Sequence, residues 1–541
     1  MRRTEIAPGV HLSWDPAQKF NRCRISIHFA FPARRETATA HALLPLLMER
    51  GYADCPDMTQ MTKKLARLYG ADLTVDARPL GANHNLCVSV TGIKDRFALE
   101  GEALTREYAA LALGTAFHPY FVGGVFDPEA VTIEKQMLKK ALEDEINEKR
   151  IYCQRQANRE FFGSSPAGIR QEGYLDEVDG LTPETLTEAY REMLRTASIE
   201  LLVLGCGEAE TEQVKQALLE ELSHIGRAPL PLCENFAMPR QDAVRRVECF
   251  DTVQAKLCML FTLGVPMRPD QMAAVRLAMA LYGGSVTSRL FLNVRERDHL
   301  CYYCSSSFQS FTGSMAVNSG VEHADAARAE KAILKELDDL RSGPITAEEL
   351  EDCRRSLLSG MAGIEDSLGG IETWYYMEVL RGGAVQTPDE VRYRVNRDPD
   401  KEFEPMTVVA HVRGKCIGIQ NLNPMNPTGR WKTDSIPEGI LHLVLIDSSL
   451  RTRSERILFV AHPHDRERWE AASDKPRYEP RQKVVIRIRL TAADSTPLGA
   501  DCSVSVTDRK TVATDSLGED IRANLLMTSD IRGYVRNPGY Y

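Results

Sequence analysis

Apolar and polar residues alternate first with the period of a β-strand and then with that of an α-helix over the opening part of the chain. The stretch CRISIHFA (residues 23–30) places Ile25 and Ile27 on one face and Ser26 and His28 on the other. This two-residue period predicts a strand with one apolar and one polar face. Further strands are predicted at residues 71–77, 85–93 and 199–205.

Helix-period patterns separate these strands. Residues 36–51, ETATAHALLPLLMERG, predict a helix, and Pro45 inside the pattern predicts either a kink or a later helix start. Residues 181–194 predict a helix with Thr182 as its N-cap and Pro183 at its first helical position. Further helices are predicted at residues 58–70, 98–113, 127–160 and 212–222.

The order of strands and helices restarts after the proline-rich stretch RAPLPLCENFAMPR (227–240), which has the composition of a linker. One helix of the second part is predicted to begin at Thr346, with Glu349 completing a capping box. Its start is similar to that of the helix at 181–194. Two units of similar order predict an internal duplication, in which each unit is a sheet covered by helices.

Long helical patterns are absent after about residue 396. Strand-like segments separated by turn residues follow at 440–447, 456–460, 483–490 and 502–508. This pattern predicts an antiparallel β-sandwich. The predicted organisation is an N-terminal unit at 1–226, a linker at 227–245, a truncated second unit at 246–396, and an incomplete sandwich-like segment at 405–541.

The composition is that of a globular protein without a nucleic-acid surface. Of the 541 residues, 43% are hydrophobic and 26% are charged, and the net charge is −9. Nucleic-acid binding needs a concentrated basic face. No apolar run reaches the roughly 18 residues of a membrane span, and the opening MRRTEIAPGV lacks the apolar core of a signal peptide. We therefore expect a cytoplasmic protein that binds neither nucleic acid nor membrane.

The cysteines give only a weak indication of a metal or redox site. Thirteen are scattered along the chain, an odd number without a paired spacing, which favours a reducing compartment. The one close pair, Cys301 and Cys304, is a weak signal for metal or redox chemistry because no second pair accompanies it.

Three stretches within residues 1–396 resemble the insulinase/pitrilysin family of zinc peptidases. They are TAHALLPLLMERG (39–51), IEKQMLKKALEDEINEK (133–149) and LYGGSVTSRLFLNVRERDHLCYY (281–303), the last being similar to the signature of the family's second domain. The resemblance implies an α+β fold of two duplicated domains, each an antiparallel-rich sheet covered by helices, similar to mitochondrial processing peptidase. The C-terminal segment would add an all-β, sandwich-like part.

In that family, an inverted H-x-x-E-H helix supplies two histidine ligands and a glutamate base, and a distal glutamate completes the zinc site. Carried over by position, His41 is the first ligand, Leu44 replaces the base and Pro45 replaces the second histidine. Aligning Glu134 with the glutamate that starts the family's distal helix puts Ala141 at the third ligand position. Because a catalytic zinc needs three protein ligands, the resemblance implies a degenerate site with no zinc and no catalytic residue.

Arg295 and Tyr302 match the arginine and tyrosine with which the second domain of active relatives approaches the substrate. An arginine can hold a peptide carbonyl or carboxylate through its guanidinium donors. The resemblance therefore implies that Arg295 and Tyr302 bind substrate. The alternative is a structural ion pair and a packed tyrosine.

The degenerate pattern resembles bacterial family members that lack the zinc motif and assemble with an active paralogue. We therefore expect a non-catalytic homologue that binds peptides and forms a chamber with an active zinc-peptidase partner. In this heterodimer, only the partner would hold zinc.

Two other functions stay open. One is an active peptidase with an unorthodox site, although Ser164 and Ser165 lie in no recognisable nucleophile motif. The other is an envelope binding protein dominated by its C-terminal segment, because residues from about 405 onward resemble macroglobulin-like β-sandwich domains of bacterial envelope proteins. The junction at 396–405 is then either a genuine fusion or an assembly artefact.

Overall fold

The described residues form two compact units, Met1–Arg397 and Asp398–Tyr541. The computed structural model describes residues 1–17, 19–234, 236–239, 242–382, 385–396, 406–422, 431–432, 435–461, 468–479, 481–491, 496–497 and 499. The predicted strand at 502–508 and nearly all of the junction at 396–405 lie outside these residues.

The first half of unit 1 is built on a six-stranded sheet. Its strands are β1 Arg2–Ala7, β2 Val10–Asp15, β3 Arg22–Pro32, β4 Asp72–Leu80, β5 Asn83–Ile93 and β8 Ser198–Leu204, and a small hairpin pairs β6 Phe121–Val122 with β7 Val125–Phe126. The sheet order is β1-β2-β8-β3-β5-β4. Only β2 and β8 run parallel among these neighbours.

Eight helices lie in this first half of unit 1. They are α1 Ala38–Arg50, α2 Met58–Arg67, α3 Leu104–Phe117, α4 Pro128–Asp144, α5 Lys149–Phe162, α6 Leu175–Val178, α7 Pro183–Thr196 and α8 Glu208–Ser223. The predicted start of α7 is confirmed, since the side chain of Thr182 accepts a hydrogen bond from the backbone of Thr185 and Pro183 opens the helix.

The second half of unit 1 has a smaller sheet, with the strand order β10-β11-β9. Its strands are β9 Gln254–Thr262, β10 Tyr303–Gln309 and β11 Ser314–Glu322, all antiparallel. Its helices are α9 Met272–Met279, α10 Ala326–Ser342, α11 Ala347–Ala362, α12 Leu368–Arg381 and α13 Pro388–Asn396. Two π-helical segments, Ala280–Gly284 and Leu290–Arg297, lie between α9 and β10.

The capping box predicted for α11 forms only in part. Thr346 accepts a hydrogen bond from the backbone N–H of Glu349, as an N-cap does. The carboxylate of Glu349 pairs with Arg289 instead of returning to the cap. A charged partner from another segment therefore replaces the weaker reciprocal bond.

The strand predicted at 23–30 lies within β3, and its two faces are those that the pattern indicates. Ile25 and Ile27 enter the main core and are at most 1% exposed. Ser26 and His28 lie on the opposite face, yet both are buried as well. The polar face is buried because α12 of the second half packs over it, where Glu372 contacts His28.

The two halves also meet at a glycine. Gly81, in the turn between β4 and β5, has a φ of 64°, a conformation that suits glycine. A Cβ at this position would lie 2.7 Å from the Cβ of Phe311, in the turn between β10 and β11. A side chain at residue 81 would therefore push these two turns apart.

Unit 2 is rich in strands, as predicted. Strands β12 Met406–Val412, β13 Lys415–Leu422, β14 Gly439–Ile446 and β15 Thr452–Val460 form an antiparallel sheet, and β16 Arg468–Ser473 pairs with β17 Ile486–Thr491. Ala410, Ile436 and Leu441 belong to a small core of this unit. Across both units, no helix of the described residues is long and apolar enough to cross a bilayer.

Candidate functional site

Helix α1 carries the three positions at which an H-x-x-E-H motif would lie. It begins at Ala38, so Pro45 lies in the helix interior and the later helix start is excluded. Proline has no N–H to donate to the carbonyl four residues earlier, which here belongs to His41. Pro45, at the position that matches the second histidine, thus offers no ligand atom and makes no helical N–H hydrogen bond.

His41 is a neutral, enclosed histidine. Its ring lies 4.6 Å from that of Phe31, and its Nε2 is buried with no hydrogen-bond partner among the described residues. Burial, followed by the nearby His84, lowers the pKa of His41 to about 3, despite an opposing hydrogen bond with the backbone of Ala189. This imidazole is therefore uncharged at neutral pH.

The surroundings of His41 do not fit a zinc ion. Leu44 is 0% exposed and Pro45 is buried, so the motif face of α1 meets packed side chains. Neither side chain has an atom that can coordinate a metal ion or accept a proton. Within the described ranges, no group of three His, Cys, Asp or Glu side chains converges at this place, and a zinc site needs at least three protein ligands.

Helix α4, which the alignment identifies as the distal helix, packs against α1. Glu134 is buried and pairs with Arg50 at the end of α1, at 2.7 Å. Ala141 is exposed on α4, two helical turns after the buried Glu134. Ile133 and Met137, four residues apart on the same helix, are 37% and 60% exposed. The position to which the resemblance assigns the distal ligand is therefore an exposed alanine.

Arg295 and Tyr302 lie side by side. The Nε of Arg295 donates to the backbone carbonyl of Tyr302 at 2.9 Å, and its guanidinium lies 4.6 Å from the ring centre of Phe291. The hydroxyl of Tyr302 donates to Glu322 at 3.0 Å, and this bond raises the pKa of the phenol. Tyr302 is 50% exposed. Both side chains are thus held by the protein and still reach solvent.

A second polar cluster, which the sequence patterns did not single out as a site, lies between β3, β5 and α12. The Nε2 of His28 is 2.8 Å from the Oε1 of Glu372, and Arg24 pairs with the other carboxylate oxygen. Burial acts to raise the pKa of Glu372, but His28 and Arg24 outweigh it and lower the pKa to about 2. The carboxylate is therefore ionised in the folded protein.

Further side chains complete this cluster. Cys87 lies opposite His28 on β5, with its Sγ 3.6 Å from Nε2 of His28 and 4.0 Å from Oε1 of Glu372. Asn85 contacts the Nδ1 of His28 at 3.2 Å and accepts a 2.6 Å hydrogen bond from Tyr376. The polar face of the strand CRISIHFA is the sequence feature that could have indicated this cluster. Polar side chains on a buried strand face need hydrogen-bond partners.

A comparison of the sequence with known protein families gives a match within unit 1. Residues 180–357 match the family model described as the Peptidase M16 inactive domain. A curated relative, the probable inactive metalloprotease YmfF of Bacillus subtilis (strain 168), is 23% identical over 373 residues, which cover 69% of this chain and 87% of the relative.

Solved structures show the same fold. A conserved protein from Enterococcus faecalis V583 has a TM-score of 0.67 and 26% identity, covering 73% of this chain and 92% of the other. A peptidase M16 inactive domain from Pseudomonas fluorescens has a TM-score of 0.54 and 16% identity, covering 73% and 94%. A protease from Helicobacter pylori has a TM-score of 0.52 and 13% identity, covering 72% and 94%.

Proposed function

Because this chain is an inactive homologue of the insulinase-like M16 metallopeptidases, we propose that it is the non-catalytic half of a peptide-binding chamber. The other half is an active zinc peptidase with an intact H-x-x-E-H helix. The single observation that carries the proposal lies in α1. There the buried, apolar side chains of Leu44 and Pro45 occupy the positions of the general base and of the second zinc ligand.

The chemistry left on α1 supports a role without catalysis. General-base catalysis needs a group that can take a proton within hydrogen-bond reach of the attacking water. Leu44 cannot accept a proton, and the Nε2 of His41 is enclosed. In this proposal the chain itself holds no catalytic zinc at His41, and the partner supplies the metal.

Arg295 and Tyr302 support peptide binding. Nε of Arg295 donates to the carbonyl of Tyr302, and Nη1 pairs with Glu296 at 3.2 Å. These two contacts orient the guanidinium, and Nη2 is the group that would meet the peptide. A peptide carbonyl or C-terminal carboxylate suits such a pre-oriented donor. The half-exposed ring of Tyr302 offers apolar area next to that donor. These two residues would grip the peptide that the partner cleaves.

Helix α4 supports an apolar wall beside the same chamber. Ile133 and Met137 are exposed neighbours on one helical stripe, and in this proposal they contact the bound peptide. Methionine adapts to varied shapes, which suits peptides of mixed sequence. The net charge of −9 favours cationic peptides through long-range attraction. We place this chamber in the cytoplasm.

The partner is tested by sedimentation. The full chain is mixed at micromolar concentration with an M16 homologue of the same organism that has an intact H-x-x-E-H motif. We expect a 1:1 complex that neither protein forms alone, with a larger sedimentation coefficient than either. Two separate boundaries at all ratios would contradict the partnership, and self-association of this chain would point to a homodimeric chamber instead.

A further inference from the structure

Three side chains with metal-binding atoms converge between the two halves of unit 1. They are the Nε2 of His28 on β3, the Sγ of Cys87 on β5 and the Oε1 of Glu372 on α12. All three atoms lie within 4.8 Å of one another, and each residue is at most 6% exposed. Within the described ranges, this is the one group of three such side chains that meets these distances. We propose that these three side chains bind one divalent cation such as Zn²⁺. The site needs both halves of unit 1, because α12 belongs to the second half.

The donor set and its spacing fit zinc. Imidazole nitrogen, thiolate sulfur and carboxylate oxygen are all zinc ligands, with bonds of about 2.0 to 2.3 Å, so a tetrahedral ion holds its ligand atoms roughly 3.3 to 3.8 Å apart. The Sγ–Nε2 distance of 3.6 Å already falls in that range. The Sγ–Oε1 distance is 4.0 Å and the Nε2–Oε1 distance is 2.8 Å. Binding would have to lengthen the Nε2–Oε1 distance by about 0.5 Å and shorten the Sγ–Oε1 distance by about 0.2 Å.

The groups around the ligands fit as well. Metal-bound carboxylates and histidines normally make a second hydrogen bond that orients them. Arg24 already holds the other oxygen of Glu372, and Asn85 contacts the other nitrogen of His28. A metal on Nε2 requires a hydrogen on Nδ1, so the amide of Asn85 would turn its oxygen to His28 and its NH₂ to the hydroxyl of Tyr376, which can accept.

Binding has a definite proton balance. The ion forms a bond to Cys87 as the S–H bond breaks, and one proton leaves to solvent. Nε2 of His28 gives up any hydrogen that it carries, and the bound imidazole keeps one hydrogen, on Nδ1. The Glu372 carboxylate changes only its partner, from the imidazole N–H to the ion. The fourth position is left for water, and the buried hydroxyl of Ser26, on the same face of β3, has no partner among the described residues.

This site differs from the one that the family uses. It does not include His41, and its ligands come from both halves of unit 1, so the bound ion would fix the second half against the sheet. The role is structural, since Arg24, Tyr376 and the sheet enclose the ion. Loss of this site would leave the proposed peptide-binding role intact, and failure of that role would not remove the ion.

The test is titration of the metal-free full chain with Co²⁺ and Zn²⁺. We expect one equivalent to bind, thiolate-to-cobalt charge transfer in the near-ultraviolet, and release of at least one proton per ion. Cys87→Ser and Glu372→Gln should each weaken binding at least tenfold. His41→Ala should leave it unchanged.

The matched control is Cys301→Ser, which removes a thiol from the C-x-x-C pair outside this cluster. Binding that is lost in Cys301→Ser and kept in Cys87→Ser would overturn the proposal, as would no binding by the wild-type chain. If Cys87→Ser does not fold, one equivalent of Co²⁺ bound to the wild-type chain without thiolate-to-cobalt charge transfer overturns the proposal on its own.

Discussion

His28 and Glu372 are 344 positions apart in the chain and share a 2.8 Å hydrogen bond in a buried cluster. One residue belongs to the central sheet and the other to α12 of the second half. A buried carboxylate stays charged only when its partners offset the cost of desolvation. Here Arg24 and His28 do so, and the pair therefore holds the two halves of unit 1 in one arrangement.

Removing this carboxylate should be costly. Glu372→Ala leaves Arg24 and His28 buried without their partner, and the loss of one member of a buried pair costs about 3–5 kcal/mol. Glu365→Ala is the control, because Glu365 is part-exposed and pairs with Arg392, and such pairs contribute about 0–1 kcal/mol. Urea unfolding in the presence of chelator measures both. Equal, small losses would show that the His28–Glu372 contact does not hold the halves together.

His41 should make unit 1 less stable in acid. Its pKa in the folded protein is about 3, against 6.5 for a free histidine. Below pH 6.5 the unfolded chain binds a proton on His41 that the folded chain does not bind until about pH 3. Stability is therefore full above pH 6.5 and is lost as the pH falls toward 3. His41→Leu removes this contribution, so its melting temperature should fall less than that of the wild type between pH 7 and pH 5.

His84 contributes with the same sign, because burial lowers its pKa too. The informative quantity is therefore the difference between wild type and variant at each pH. The exposed His224 is the control position, and His224→Leu should keep the pH profile of the wild type. A profile unchanged by His41→Leu would mean that His41 is solvated in the folded chain.

Placing a glutamate at residue 44, the position that matches the general base of the motif, should destabilise the protein. Leu44→Glu puts a carboxylate at a fully buried position with no basic partner identified there, so we expect a loss of about 3 kcal/mol or more at neutral pH. Ala141→Glu adds the same group on an exposed helical position and should change stability by less than about 0.5 kcal/mol. Denaturant unfolding compares the two. Leu44→Glu with wild-type stability would show that the motif face of α1 is open to water.

Arg295 should matter for peptide affinity and little for stability. We expect Arg295→Ala to weaken binding of an unstructured cationic peptide about tenfold, which corresponds to 1.4 kcal/mol. Arg297, two residues on and paired with Asp298, is the matched control, and Arg297→Ala should bind normally. Fluorescence anisotropy with a labelled peptide measures both. Equal effects of the two variants would indicate general charge attraction rather than a specific contact.

The sequence predicts the elements of unit 1 well because local periodicity decides them. The strand at 23–30, the helix at 36–51 and the Thr182 cap all follow from patterns within a few residues. The His28–Glu372 contact does not, because its partners meet only through the packing of α12 on the sheet. The pattern at CRISIHFA indicated a polar face, and only the tertiary structure reveals that this face is buried.

The same limit applies to the positions to which the resemblance assigns the zinc motif. The motif comparison identifies His41, Leu44 and Pro45 as one helical set, and α1 contains all three. It does not indicate that Ala141 is exposed, since burial depends on the neighbouring helices. For the same reason, the partner of Glu349 is Arg289 and not the cap that its spacing predicts.

The central claim is that this chain acts without a catalytic site of its own. Its most direct test is the turnover of a quenched fluorescent peptide library by the purified chain, by an M16 homologue with an intact H-x-x-E-H motif, and by their mixture. The account predicts no turnover by the chain alone, and turnover by the mixture that exceeds that of the homologue and disappears with chelator. Hydrolysis by the chain alone that persists in chelator would contradict it.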